Sequence, residues 1–299
     1  MIGNPVLHKE LFMRLRLRQV PLPVKIGVAL LVFVSLGLLY YFMARAVLDT
    51  SGASNARGVW QTCMWLQLIA VLLFAPVVTA NCITQEKEQQ TWEMLIATRL
   101  KPSEVVFGKL VARLAVILLI LALFLPITLF GWINSVLVET QIAFSARLTE
   151  LSLSYAVLLI TAVFFATFGL YMSWQVKRTL AAIMLSYTFA IGFLLIGTFL
   201  VFIALQFRFT DSTFLVKCPI LWVNPAYLMA YGTSPDRAEN STLFVVYGLL
   251  VYAVGTLALL WRMILGFFHF SYDDDAAPPV GERLRGMARR AQARTTDNA

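Results

Sequence analysis

Side chains able to do chemistry are few in this chain, and most of those that could act together lie in one run. Glu86-Lys87-Glu88 opens it, and the sequence EKEQQTWEMLIATRLKPSEVVFGK carries it to Lys109. Good helix formers dominate its first half, with Glu86 and Glu88 near the start, where the helix dipole favours negative charge. Trp92, Leu95, Ile96 and Arg99 stand three or four residues apart and give a mostly apolar face with a basic end. Pro102 interrupts this helix. Its fixed φ suits the first turn of another, and Glu104 sits inside that turn. The second helix is expected to run through Gly108 and Lys109 into the membrane. The chemistry is mechanical: a charged surface helix, joined by a tight elbow to a spanning one, can pass force from a soluble partner to two spans.

Catalysis finds few reagents. The two histidines, His8 and His269, lie outside the apolar runs and read as interfacial polar groups. Cys63 and Cys82 fall in one apolar run and Cys218 outside it, an odd set with no metal-ligand spacing. Gly108-Lys109 is followed by Leu110 and lacks an earlier glycine, so no phosphate-cradling loop is present. The apolar runs hold no mid-membrane carboxylate and no paired charges, groups that ion-coupled carriers keep despite their expense in hydrocarbon. The expectation is a protein that is not an enzyme, with no metal and no cofactor in this chain. ATP and magnesium, if they drive it, belong on a partner.

The elements that must position these residues are membrane spans. Of 299 residues, 60% are hydrophobic and 13% charged, against about 25% charged in a soluble domain. Mean hydropathy is +0.77. A soluble chain of this size has too little interior to hide so much apolar surface. Crossing a hydrocarbon core takes about 20 apolar residues. Six runs qualify: 26–44, 59–85, the stretch between Arg113 and Glu139, that between Glu150 and Lys177, 179–207 and 241–261. The first, with basic residues ahead of it and Ala44-Arg45-Ala46 behind, mimics a signal peptide. At about 19 residues it exceeds the roughly 7–15 of a signal core, and it is read as a span. Each run is expected to be helical, since a lone span satisfies its backbone no other way in hydrocarbon.

Eighteen of the 24 Lys and Arg fall on the side that holds both chain ends; the other side has Arg45, Arg57, Arg147, Arg208, Lys217 and Arg237. The positive-inside rule then puts both termini in the cytoplasm. The +8 net charge is therefore a topology signal. Arg283, Arg285, Arg289 and Arg290 of the tail read as headgroup contacts, and no nucleic-acid partner is expected. Pro76 and Pro126 are expected to bend the second and third spans. Gln67, Thr79, Asn81, Asn134, Thr161, Ser186, Thr188, Tyr247 and Thr256 either line a polar path or hydrogen-bond between helices, the commoner outcome. Near the N-terminus, Asn4 fits an N-cap and Pro5 the first helical position. Leu7, Leu11 and Leu15 share one face there, as in a helix lying at anionic headgroups. Residues 208–240 hold an apolar stretch too short to cross, ahead of Asn224-Pro225, and read as a re-entrant or interfacial helical pair.

The order Glu86-Lys87-Glu88, Thr91, Glu93, Leu95, Thr98, Pro102, Glu104 and Gly108-Lys109, after the second of six spans, resembles the signature of type 2 ABC transporter permeases. Asn4-Pro5-Val6-Leu7-His8-Lys9-Glu10-Leu11 is similar to the short amphipathic helix with which that family begins. The expected fold is an all-α polytopic membrane protein with six transmembrane helices and N- and C-termini cytoplasmic. An N-terminal interfacial helix and a cytoplasmic coupling helix between spans two and three complete it. Residues 1-270 form the permease domain and 271-299 a cytoplasmic basic tail, expected to be disordered. The resemblance implies the permease subunit of an exporter in the cell (plasma or inner) membrane, energised by a separate ABC ATPase subunit and paired with a second permease copy, identical or not. Glu86, Lys87, Glu88, Thr91, Trp92, Glu93, Leu95, Thr98, Arg99, Pro102 and Glu104 would form the ATPase-coupling helix and its elbow. Asn4, Pro5, Leu7, Lys9, Glu10 and Leu11 would add to the same contact from the N-terminal helix. The substrate is not implied. The rival readings are an ATP-independent secondary carrier or channel, and a non-transporting membrane scaffold of the same fold.

Overall fold

Apolar helices in lipid assemble through side-chain fit and hydrogen bonds, because lipid tails are as apolar as leucine and burial from water contributes little. The computed structural model describes residues 53–90, 102–138, 144–206, 223–233 and 241–275, together with Gly37, Tyr40, Tyr41 and Arg45. Outside the described residues lie the N-terminal helix with Asn4, Pro5, Leu7, Lys9, Glu10 and Leu11, most of the expected first span, residues 91–101, and the tail from 276. The described residues form seven helices and no strand: α1 (Ala53–Ala80), α2 (Thr84–Glu88), α3 (Pro102–Val138), α4 (Phe144–Gln175), α5 (Thr179–Gln206), α6 (Pro225–Gly232) and α7 (Ser241–Asp275). The helices α1, α3, α4, α5 and α7 carry five stretches long and apolar enough to cross a membrane, as in a multi-pass membrane protein.

The helix α3 starts at Pro102 and runs unbroken for 37 residues. At 1.5 Å per residue that is about 55 Å, well beyond a hydrocarbon core of about 30 Å. The second half of the elbow and the third span are thus one rod. The helix α7 continues through Asp275, past the boundary drawn at residue 270.

The centre of the bundle is the pair α1 and α4. Over half of their spanning residues are buried, 56% and 61%, against 22–28% in α3, α5 and α7. Trp60, Met64, Leu68, Val71 and Ala75 of α1 share one core with Val157, Leu158, Ala162, Phe165 and Leu170 of α4. Gly169 permits a close approach of α4 to α1, since a Cβ there would strike the Thr79 side chain. Aromatic contacts hold the outer helices on: Phe168 stacks on Phe189 of α5 at 3.9 Å, and Phe164 meets Tyr252 of α7 edge-on at 4.9 Å. The outward faces expose Leu119, Leu137, Leu180, Leu195, Val254 and Trp261, the surface a spanning helix offers to lipid.

One boundary moves. The sequence starts the fourth span after Glu150 and leaves Arg147 in an external connection. The helix α4 begins earlier, at Phe144, and takes Arg147 and Glu150 into the bundle, both fully buried. Arg147 holds one Glu150 oxygen at 3.0 Å from a turn back on the same helix, and Arg57 of α1 holds the other at 3.3 Å. A buried carboxylate persists when partners of opposite charge surround it, and two guanidinium groups do so here.

The Gly169 crossing gives a test with an internal control. Gly169→Ala is expected to cost about 1–3 kcal/mol through overpacking, whereas nothing lies within 4 Å of a Cβ at Gly192. The thermal unfolding midpoints of Gly169→Ala and Gly192→Ala in detergent check this, with a fall expected only in the first.

Candidate functional site

The helix α1 stops at Ala80, the chain turns over residues 81–83, and α2 begins at Thr84. A helix start leaves orphan N–H donors, and Ser173 of α4 takes two nearby. Its buried hydroxyl accepts from Ile83 N–H at 2.8 Å and Thr84 N–H at 3.0 Å. The Thr84 hydroxyl in turn donates to the Ala80 carbonyl at 3.0 Å. This short helix is thereby fixed against α4 before its charged residues begin.

Successive residues of a helix point about 100° apart, so Glu86, Lys87 and Glu88 address three neighbours. Glu86 pairs with Lys109 of α3 at 2.5 Å, and Lys109 is buried. Lys87 donates from Nζ to the carbonyls of Ser173 (3.4 Å), Trp174 and Val176 (3.2 Å), at the end of α4. Those carbonyls lack intrahelical partners and form the negative pole of the helix, so an ammonium group suits them twice over. Glu88 accepts from the Thr179 N–H at 2.7 Å, at the positive pole of α5. Arg113 of α3 completes the set by donating to the Val78 carbonyl at 3.2 Å and Asn81 Oδ1 at 3.4 Å, at the end of α1. One acid–base–acid run and two basic residues of α3 thus bind the ends of four spans. Beside this clasp, Gln89, Gln90, Lys177 and Arg178 are exposed.

Of the predicted coupling residues, Glu86, Lys87 and Glu88 are brought together here, Pro102 opens α3 and Glu104 is exposed in its first turn. Thr91, Trp92, Glu93, Leu95, Thr98 and Arg99 lie outside the described residues. The surface helix expected through this region is corrected at its start: α2 ends at Glu88, and Gln90 has φ +56°. A left-handed residue just past the last turn is a common helix stop, and it breaks the run between Glu88 and Thr91.

The polar-path candidates separate in the same way. Thr79, Asn134, Ser186, Thr188 and Thr256 each donate to the carbonyl four residues back on their own helix. Asn81 accepts from Arg113 across helices, as above, and Gln67 reaches Thr128 Oγ1 at 3.3 Å, with Thr128 2.9 Å from the Tyr155 hydroxyl. Sequence reasoning missed Thr128 and Tyr155 because each alone is an ordinary polar residue in a span. At the far end of the bundle, Asn224 caps α6 by accepting from Ala226 N–H at 2.9 Å, and Pro225 takes the first helical position. Asn224 also donates to Leu194 of α5, while Tyr252 of α7 donates to Val223 and Gln61 of α1 to Thr233. This short helix is docked into the bundle by three spans.

Chemically, the clasp binds helix ends and holds no nucleophile–base pair. Among the described residues no group of His, Cys, Asp and Glu is arranged to hold a metal ion. No family model matches the chain, and no curated protein matches it.

The Glu86–Lys109 pair predicts a distinctive mutational pattern. Glu86→Leu takes a carboxylate from a buried ammonium group and is expected to cost about 3–5 kcal/mol, whereas Glu86→Leu with Lys109→Met recovers most of that loss. Denaturant unfolding of the purified protein reads the difference.

Proposed function

We propose that this chain is the membrane-spanning permease subunit of an ATP-binding-cassette exporter, working with a second permease copy and separate ATPase subunits in the cell membrane. The observation that carries the reading is the clasp at Glu86–Glu88. A charged turn leaves one span, engages α3 and the ends of α4 and α5, and leads through residues 89–101 to the elbow at Pro102. A soluble partner that moved this turn would move four spans together. In this reading both termini are cytoplasmic, a sixth span precedes α1, and ATP and magnesium belong to the partner.

The structure shifts the division of labour within the proposed coupling segment. Glu86, Lys87 and Glu88 are engaged by their own bundle, so they act as the anchor. Thr91, Trp92, Glu93, Leu95, Thr98 and Arg99, which follow the left-handed break at Gln90, are the residues assigned to the ATPase. The partner's differential affinity for its own nucleotide states would supply the free energy, since a ligand shifts an equilibrium only by such a difference. Glu150 is held by two guanidinium groups, which suits a structural anchor.

Co-expression with an ABC ATPase encoded beside this chain tests the reading. A complex that survives detergent is expected. Glu93→Ala is expected to weaken it at least about tenfold, roughly 1.4 kcal/mol, with membrane insertion unchanged. Flux driven by an ion gradient through the purified chain alone, with no ATPase captured, would instead establish a secondary carrier.

A further inference from the structure

Two hydrogen bonds in the outer layer of the bundle repeat one geometry. The Tyr187 hydroxyl of α5 donates to the Leu73 carbonyl of α1 at 2.6 Å, and the Tyr40 hydroxyl donates to the Leu123 carbonyl of α3 at 2.6 Å. Among the described helices, α1 and α3 are the two with an internal proline, Pro76 and Pro126. Each accepting carbonyl lies three residues before its proline. That register has a physical reason. A proline has no N–H for the carbonyl four residues back, and its ring pushes that carbonyl away. The bend that relieves the clash also stretches the neighbouring bond, from the residue after the proline to the carbonyl three before it. In hydrocarbon a neighbouring helix can supply the donor for that carbonyl. At Pro126 the Tyr40 hydroxyl takes the carbonyl end of that bond. Its ring is held there by packing on Val59, Cys63 and Ile127.

We propose that α1 and α3 carry matched hinges at Pro76 and Pro126, each held at one bend by a tyrosine hydroxyl from a neighbouring helix. Tyr187 latches the first and Tyr40 the second. Releasing a latch lets its helix change bend without breaking any bond of the clasp at Glu86–Glu88. The inference rests on proline geometry and stands whether or not the chain transports anything.

Two measurements on the full chain in lipid nanodiscs test it. The first is a double-mutant cycle on thermal unfolding. Tyr187→Phe is expected to lower the midpoint by a few degrees in the Pro76 protein and to change it little beside Pro76→Ala, because an alanine restores the intrahelical bond. The same pattern is expected of Tyr40→Phe with Pro126→Ala. Equal losses in both backgrounds would overturn the proposal, since a tyrosine that merely packs or bonds a spare carbonyl is additive with the proline. The second uses spin labels at Val111 and Leu137, exposed positions on either side of Pro126, with Cys218 replaced by alanine and the buried Cys63 and Cys82 kept. Tyr40→Phe should broaden the distance distribution along α3, and adding Pro126→Ala should narrow it again. A distribution unmoved by Tyr40→Phe would contradict the hinge even if the cycle showed coupling.

Discussion

A backbone carbonyl or amide left without a partner in hydrocarbon costs several kcal/mol, and much of this structure follows from that constraint. The spans satisfy themselves in their middles and fail at their ends and their prolines. Those are the places where side-chain hydrogen bonds go. Lys87 serves the end of α4, Glu88 the start of α5, Arg113 the end of α1 and Ser173 the approach to α2. Tyr252 and Gln61 do the same for the two ends of the docked helix α6. Lys87 and Glu88 are thus helix caps that share one short segment.

That sharing connects structure to the proposed function. Separate caps would stabilise separate helices. Caps supplied by consecutive residues of a single turn make the ends of α3, α4 and α5 move as a unit with the end of α1. In the proposed reading the end of the bundle that holds Glu86–Glu88 is the stiff part, and the prolines farther into α1 and α3 are where bending would concentrate. An assembly driven from outside the membrane needs both properties: a place where force enters several helices at once and a place where helices yield.

Which parts could be read from the sequence depended on distance along the chain. Apolar runs are local, so the spans from the second to the sixth run are visible in composition, and the start of α3 at Pro102 follows from proline's fixed φ. The partners of Glu86, Lys87 and Glu88 lie 23, 86 and 91 residues away, and no spacing rule reaches that far. The same holds for Arg57 with Glu150, separated by 93 residues; without that pairing Arg147 looks like a loop residue. The early stop of α2 was hidden for another reason. Gln90 is a good helix former, so its residue type does not announce the left-handed conformation. The tyrosine–proline register did leave a sequence trace in Pro76 and Pro126, but which tyrosine meets which carbonyl is a matter of packing.

The central claim is that consecutive residues of one turn hold the ends of α4 and α5 rigidly against α2. Spin labels at Gln89 and Arg178, both exposed beside the clasp, measure it directly in nanodiscs. The account predicts one narrow distance distribution that broadens when Lys87→Met and Glu88→Gln are introduced together. A broad distribution in the unaltered clasp, or a narrow one that ignores both substitutions, would contradict it.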